Sequence, residues 1–473
     1  MEGTKYTTKE SILARAQEII GKPLKEVDAT GRLSTGKGAI GTVIEESWYG
    51  YSPNSESEPD FPEAGVELKV TPYVRTKDGI RAKERLVCNI INYMDEYKKT
   101  FYSSAFWHKC ETMLLMSYEH LFDKPKGEFT IDAAILFSFP EEDLLIIEHD
   151  WEIIMAKVRA GKAHEISEGD TMYLAACTKG ANAQSVRSQP FSAEPAKQRA
   201  YSLKSSYMTH VLNNYIFGTK TSPKIIKSVR RPFVAPYGAA PTPERVIKCV
   251  SDLRTASFEE ILISRLMPYY GKTQSELKSM FGIDSNAKNL NELLIAKMLG
   301  VEGKIAYTDE FLKAGIVPKT IRVEMNGTIR ENMSFPTFDF IELSKETWEE
   351  STLYNYLAPT KFLFVVFQEV RTGVYALSRA MFWNIPNNDL EEVHRVWERT
   401  VSTIRKGVIL INTPRGVSNN LPKQSESPVA HVRPHGRDGN DRLPLPDGRM
   451  MTKQCFWLNN SYIANQIKTN RRI

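Results

Sequence analysis

Between Gly65 and Pro72 the chain alternates. Val66, Leu68 and Val70 are apolar, while Glu67 and Lys69 between them are charged. Side chains along a strand point to opposite faces, so this segment predicts a strand with one buried face and one carrying Glu67 and Lys69 together. Elsewhere the period lengthens to that of a helix. Leu144, Ile147, Trp151, Met155 and Val158 form one apolar stripe, and Leu390, Val393, Trp397, Val401 and Ile404 form another. The N-terminal residues 7–20 read as an amphipathic helix opened by a capping box, Thr7-x-x-Glu10. A helix is also predicted over Gly41–Trp48.

The two helical stripes belong to a longer repeat. Residues 137–161 read FSFPEEDLLIIEHDWEIIMAKVRAG and residues 382–407 read FWNIPNNDLEEVHRVWERTVSTIRKG. Pro, Asp-Leu, Trp-Glu and Gly recur at equal spacing, which helical periodicity alone does not require. Asp143 and Asp389 are N-cap candidates, and Gly161 and Gly407 fit the position after the last turn. The match extends to YLAACTKGAN and VAHVRPHGRD, to YSLKSSYM and FWLNNSYI, and to AGVELKVTP and AGIVPKTIR. The chain therefore reads as two copies of one α/β unit, each a mixed central sheet flanked by helices. The first copy spans 1–217 and the second 246–473. Between them, 218–245 is a linker rich in Pro, Gly and Lys/Arg, whose Lys220, Lys224, Lys227, Arg230 and Arg231 serve as a solvated tether or as phosphate contacts.

Composition adds constraints. At 473 residues with 41% hydrophobic and 25% charged residues, this is an ordinary globular composition with ample core. No apolar run approaches bilayer length, and the N-terminus has no signal-peptide core, so no membrane partner is expected. Five scattered cysteines without a CxxC pair read as free thiols in a reducing cytoplasm. The net charge of +5 does not demand nucleic acid, so any basic surface is local.

The candidate chemistry lies in PDFPEAGVELK. Pro62 and Gly65 punctuate the strand entry, as a loop returning Asp60 beside Glu67 and Lys69 requires. Two carboxylates at one point suit a hard divalent cation such as Mg²⁺, and an adjacent lysine suits a water or a phosphate. Glu-x-Lys alone turns up about twice by chance in a chain this long, so spacing does not decide the matter. The second copy differs here. Val317 aligns with Glu67 and Pro318 with Leu68, while Lys319 keeps the place of Lys69 and Asp309 lies near that of Asp60. Without the glutamate it is expected to fold but not to cut.

Asp60, Glu67 and Lys69 match the pattern of the PD-(D/E)xK nucleases. DFPEAGVELKVTP, KGAIGTVIE, GKAHEISEG, YLAACTKGAN, HVRPH and MTKQCFWLNN resemble the MutH-like endonucleases acting at GATC. The fuller match, over roughly residues 5–470, is to the two-domain, Sau-type restriction enzymes of that family. The resemblance implies an Mg²⁺-dependent enzyme that cuts double-stranded DNA 5′ to G of GATC, with the second domain binding another GATC copy and stimulating cleavage. It implies that Asp60, Glu67 and Lys69 are catalytic and that Glu45, Lys37 and Lys109 join them, with Asp60, Glu67 and Glu45 as metal ligands. Glu45 and Glu46 are adjacent on a helix, so at most one faces inward, and the alignment selects Glu45. Lys37 has an alternative as a solvated lysine, and Lys109, just before the apolar run MLLMSY, has one as a strand-edge lysine. Base reading falls to Arg433 and Trp457 in the second copy, an arginine bidentate to guanine being the commonest specific contact. In the first copy Cys177 and Ser202 hold those places, which leaves Lys179, Arg187, Arg199 and Lys204 for bases or phosphates. The chain is expected to be a monomer when free, with a dimer-like or two-site assembly on DNA. Alternatives are a MutH-like nicking repair enzyme, which needs only one module, and a non-catalytic DNA-binding protein.

Overall fold

The computed structural model describes residues 6–34, 36, 38–51, 58–77, 79–180, 184–218, 229–230, 243–284, 289–414 and 416–469. The chain divides into two compact units, Met1–Ile261 with Gly303–Ile316, and Leu262–Glu302 with Val317–Ile473. The segment Gly303–Ile316, read from sequence as part of the second copy, thus groups with the first unit. Lys220, Lys224, Lys227 and Arg231 of the basic linker lie outside the described residues.

In the first unit, strands β1 (Glu67–Thr76), β2 (Gly79–Ala82), β3 (Leu86–Ile90), β4 (Met113–Glu119) and β5 (Ile131–Phe137) precede β6 (Leu174–Thr178), β7 (Val186–Gln189), β8 (Ser192–Lys197) and β9 (Arg199–Leu203). The main sheet runs β5-β4-β1-β2, with the short pair Val229–Arg230 beyond β5. Only β1 and β4 are parallel. A smaller antiparallel sheet, β3-β9-β6, and the hairpin β7–β8 complete the strands. The predicted alternation in β1 holds. Leu68 and Val70 pack with Leu114 and Met116 of β4 against Ile12, Ala16 and Ile19 of the helix Lys9–Ile19, and against Ile40, Val43 and Ile44. That face is sealed, so Glu67 and Lys69 emerge on the other.

Three terminal assignments need correction. The first helix is capped by Thr8, whose side chain accepts from Ser11 N at 3.2 Å, and not by a Thr7–Glu10 box. The helices Glu141–Arg159 and Asn387–Lys406 start directly after Pro140 and Pro386. Asp143 and Asp389 therefore lie inside the first turn. There each accepts from a tyrosine hydroxyl, Tyr207 at 3.0 Å and Tyr462 at 2.6 Å. Gly161 does follow its helix in the left-handed region at φ +70, where a Cβ would stand 2.8 Å from the carbonyl oxygen of Phe191.

The second unit repeats the three central strands of the main sheet and the three-stranded smaller sheet, without a counterpart of β2 among the described residues. Val317–Val323 runs parallel to Phe362–Arg371, which pairs antiparallel with Val374–Trp383. The row Glu67–Met113–Phe137 of the first unit becomes Val317–Phe362–Trp383. Glu67 N donates to Thr112 O at 3.1 Å, and Val317 N to Lys361 O at 3.0 Å. In the smaller sheets, Ala175 faces Ser202 and Cys177 faces Ala200, just as His431 faces Trp457 and Arg433 faces Cys455. The duplication read from the sequence is thus carried by backbone register and by the repeated Asp–Tyr bond.

Candidate active site

A tight turn delivers Asp60 to the start of β1. Phe61 N donates to Val66 O at 2.9 Å, Val66 N returns to Phe61 O at 3.2 Å, and Gly65 adopts φ +60. The turn is held by the functional side chains themselves. Asp60 Oδ2 accepts from Leu68 N at 2.9 Å, and Glu67 Oε2 accepts from Asp60 N at 3.2 Å. The other oxygen, Glu67 Oε1, accepts from Lys69 Nζ at 2.6 Å and lies 3.6 Å from Lys109 Nζ. Lys109 arrives on the short helix Ala105–Cys110, whose Ser104 N-cap accepts from Trp107 N. It therefore stands on a helix end ahead of β4, not on a strand edge. The Glu67 side chain is only 2% exposed, between two lysine side chains that are 17% and 12% exposed.

The electrostatics show a crowded anionic corner. Burial, and next the Glu67 carboxylate, push the Asp60 carboxyl up to about 6, against the pull of Lys69 and Lys109. Glu45, on the helical turn Ile44–Trp48, is pushed up to about 7 by burial first and by Asp60 second. Burial works against the Lys69 ammonium, but Glu67 beside it more than compensates, so its pKa lies above the ordinary lysine value. Glu46 takes a different partner, Arg32 Nη2 at 2.8 Å. The choice between the adjacent glutamates thus falls on Glu45, which feels the site.

Asp60, Glu67, Lys69 and Lys109 are brought together, and Glu45 stands at their edge. Among the described residues no group of three His, Cys, Asp or Glu side chains is arranged to hold a metal ion. The Asp60 and Glu67 carboxylates fit Mg²⁺, which is commonly bound by one or two carboxylates plus waters and phosphate oxygens. Their mutual repulsion, visible in the raised Asp60, is what a cation would relieve. Lys37 lies outside the described residues. Cys88 and Cys110 are buried free thiols.

The residues expected at DNA separate into two groups. Lys179 and Arg187 are exposed and meet at Gln198, which accepts Lys179 N at 2.8 Å and Arg187 Nε at 2.7 Å. Arg199 and Lys204 do not reach a surface, which corrects the sequence expectation. The Arg199 guanidinium is buried and donates to Ala176 O at 2.7 Å. Lys204 Nζ is buried on Thr171 O at 2.6 Å and helps offset Asp150, which accepts from three backbone amides. In the second unit, Arg433 is exposed and lies 5.0 Å from the centre of the Trp457 ring, whose Nε1 donates to Arg433 O at 3.4 Å. His431 and His435 pack on the same ring.

An Asp from a turn, a Glu-x-Lys on the opening strand of a mixed sheet and a second lysine from the helix Ala105–Cys110 define a site-specific DNA endonuclease. The family described as DNA mismatch repair enzyme MutH matches residues 49–150, which span this whole constellation from β1's entry to β5. Type II restriction enzyme Sau3AI of Staphylococcus aureus is 36% identical, over 98% of this chain and 99% of its own length. DNA mismatch repair protein MutH of Shewanella woodyi and that of Escherichia coli are each 30% identical over 38% of this chain, covering 78% and 79% of their own lengths. The chain belongs to the Sau3AI family of MutH-like type II restriction endonucleases. No helix among the described residues is long and apolar enough to cross a membrane.

Proposed function

We propose that this enzyme is an Mg²⁺-dependent endonuclease cutting both strands of DNA at 5′-GATC-3′, 5′ to the G. In this reading the second unit binds a further GATC copy as effector. The observation that carries it is the asymmetry between the copies. The first holds Asp60, Glu67, Lys69 and Lys109 in contact, and the second has Val317 where the glutamate would be. Asp60 and Glu67 would hold the ion, which when bound polarises a phosphoryl oxygen and lowers the pKa of water. Lys69 is fixed by Glu67, so its ammonium is oriented before DNA arrives. Lys109 adds a second positive charge on the same carboxylate and is positioned to offset the phosphate. Arg433, braced on Trp457, supplies the bidentate donor that guanine accepts.

A plasmid digest with Mg²⁺, and with a chelator in its place, tests this reading. Sequencing the fragment ends gives the site and the cut position. Linear fragments ending at GATC are expected only with Mg²⁺. Nicked circles would identify a nicking enzyme instead, and intact plasmid a binding protein.

A further inference from the structure

The second unit keeps a cation where its partners have gone. Lys319 faces Phe364 just as Lys69 faces Leu115. Val317 has replaced Glu67. Thr112 and Lys361 are equivalent through their backbone bonds, so the place of Lys109, three residues before Thr112, is taken by Ala358. The acidic residues ahead of the strand are committed elsewhere. Asp309 pairs with Lys313 at 2.8 Å, and Glu310 accepts from the amides of Val246 and Ile247.

Lys319 is half-buried, and among the described residues no carboxylate pairs with it. Burial alone holds its pKa below the ordinary lysine value, the opposite of Lys69. Withdrawing an ammonium from water without a counter-ion is unfavourable. An apolar side chain would fill the same space among Val317, Ile321 and Phe364 without that cost. Met333–Phe338, the next strand along the chain, belongs to the smaller sheet of the same unit and pairs Ser334 with Trp457. The equivalent strand of the first unit, β3, contributes Cys88 to the surroundings of Lys69.

We propose that the degenerate site at Lys319 is a metal-independent phosphate site, in which the ammonium takes a backbone phosphate of the duplex held by the second unit. The proposal rests on the reading that this unit binds DNA. It adds that the site engages phosphate directly, where the first unit uses two carboxylates and a cation.

The test uses the full chain carrying Glu67→Gln, in chelator, titrated with a fluorescent GATC duplex to resolve two binding phases. Arg433→Ala marks the phase of the second unit. Lys319→Met, which keeps the stem and removes the charge, should weaken that phase about tenfold and lower its salt slope by about 1. Lys319→Arg should retain it. Val317→Glu, which supplies a carboxylate beside the lysine, should weaken it like the methionine variant. If Lys319→Met leaves affinity and salt slope unchanged in the phase that Arg433→Ala weakens, the phosphate site is overturned while the effector reading stands. If Lys319→Met weakens a phase and Arg433→Ala weakens neither, the phosphate site is supported and the guanine assignment falls. If neither variant changes either phase, both ideas fail.

Discussion

Glu67 serves two purposes with two oxygens: one fixes the turn through Asp60 N, the other gathers Lys69 and Lys109. Glu67→Gln should therefore lower cleavage by orders of magnitude, while DNA affinity in a filter-binding assay is kept or raised, because a charge facing phosphate is gone. Asp60→Asn should behave alike, and near-normal cleavage by either variant would remove both from the catalytic set. A second expectation concerns pH. Asp60 and Glu45 have pKa values raised in the fold to about 6 and about 7, above their open-chain values. Such groups bind more protons folded than unfolded across that interval, so their contribution to stability falls as pH rises from about 4 to about 7. Glu45→Gln should raise Tm at pH 8 by a few degrees, and the gain should vanish near pH 4. A uniform gain at both values would mean that desolvation of Glu45 is not the cause. The Asp60, Glu67 and Lys69 set was legible in the sequence because one strand and one turn deliver all three. Arg199 and Lys204 were not, since what buries them is contact with Ala176, Thr171 and Asp150, set by tertiary packing that charge and position do not reveal.

Elements repeat more faithfully than sites do. Both long helices open after a proline and send an aspartate from their first turn to a tyrosine. Pro-x-x-Asp was legible as a helix start, but not which residue caps it, because the tyrosines that recruit the aspartates lie 64 and 73 residues away. The two pairs also differ in surroundings. Asp143 is joined by Lys313 Nζ at 2.8 Å, from the segment Gly303–Ile316, and that ammonium also bonds Asp309 at 2.8 Å. Burial opposes the charge on Lys313, and the two aspartates hold its pKa above the ordinary value. Removing one partner of a buried pair leaves the rest uncompensated, so Lys313→Met should cost about 3–5 kcal/mol in denaturant unfolding. Asp389→Asn, which keeps an acceptor for Tyr462 and has no lysine to strand, should cost only about 1 kcal/mol. Equal losses would show that the ion pair adds nothing to the hydrogen bond.

At the scale of the whole molecule, the question is why a nuclease carries a second copy that has lost its glutamate. An effector acts only through a difference in its affinity for two arrangements of the enzyme. If the second unit's GATC duplex favours the cutting-competent one, a plasmid with two GATC sites should be cut faster than one with a single site. A short GATC duplex added in trans should rescue the single-site plasmid, and a scrambled duplex should not. Arg433→Ala and Trp457→Ala should abolish that rescue, because the arginine is braced over the ring and neither belongs to the Asp60–Glu67–Lys69 set. These point variants are cleaner than a truncation after residue 245, which would also remove Gly303–Ile316 and leave Asp143 buried without Lys313. Concentration separates coupling from simple tethering. Tethering raises local enzyme concentration and its advantage disappears at saturating enzyme, whereas an effector that shifts the arrangement keeps the two-site plasmid ahead at saturation. Equal rates for one-site and two-site plasmids at every enzyme concentration would reduce the second unit to an additional clamp on DNA.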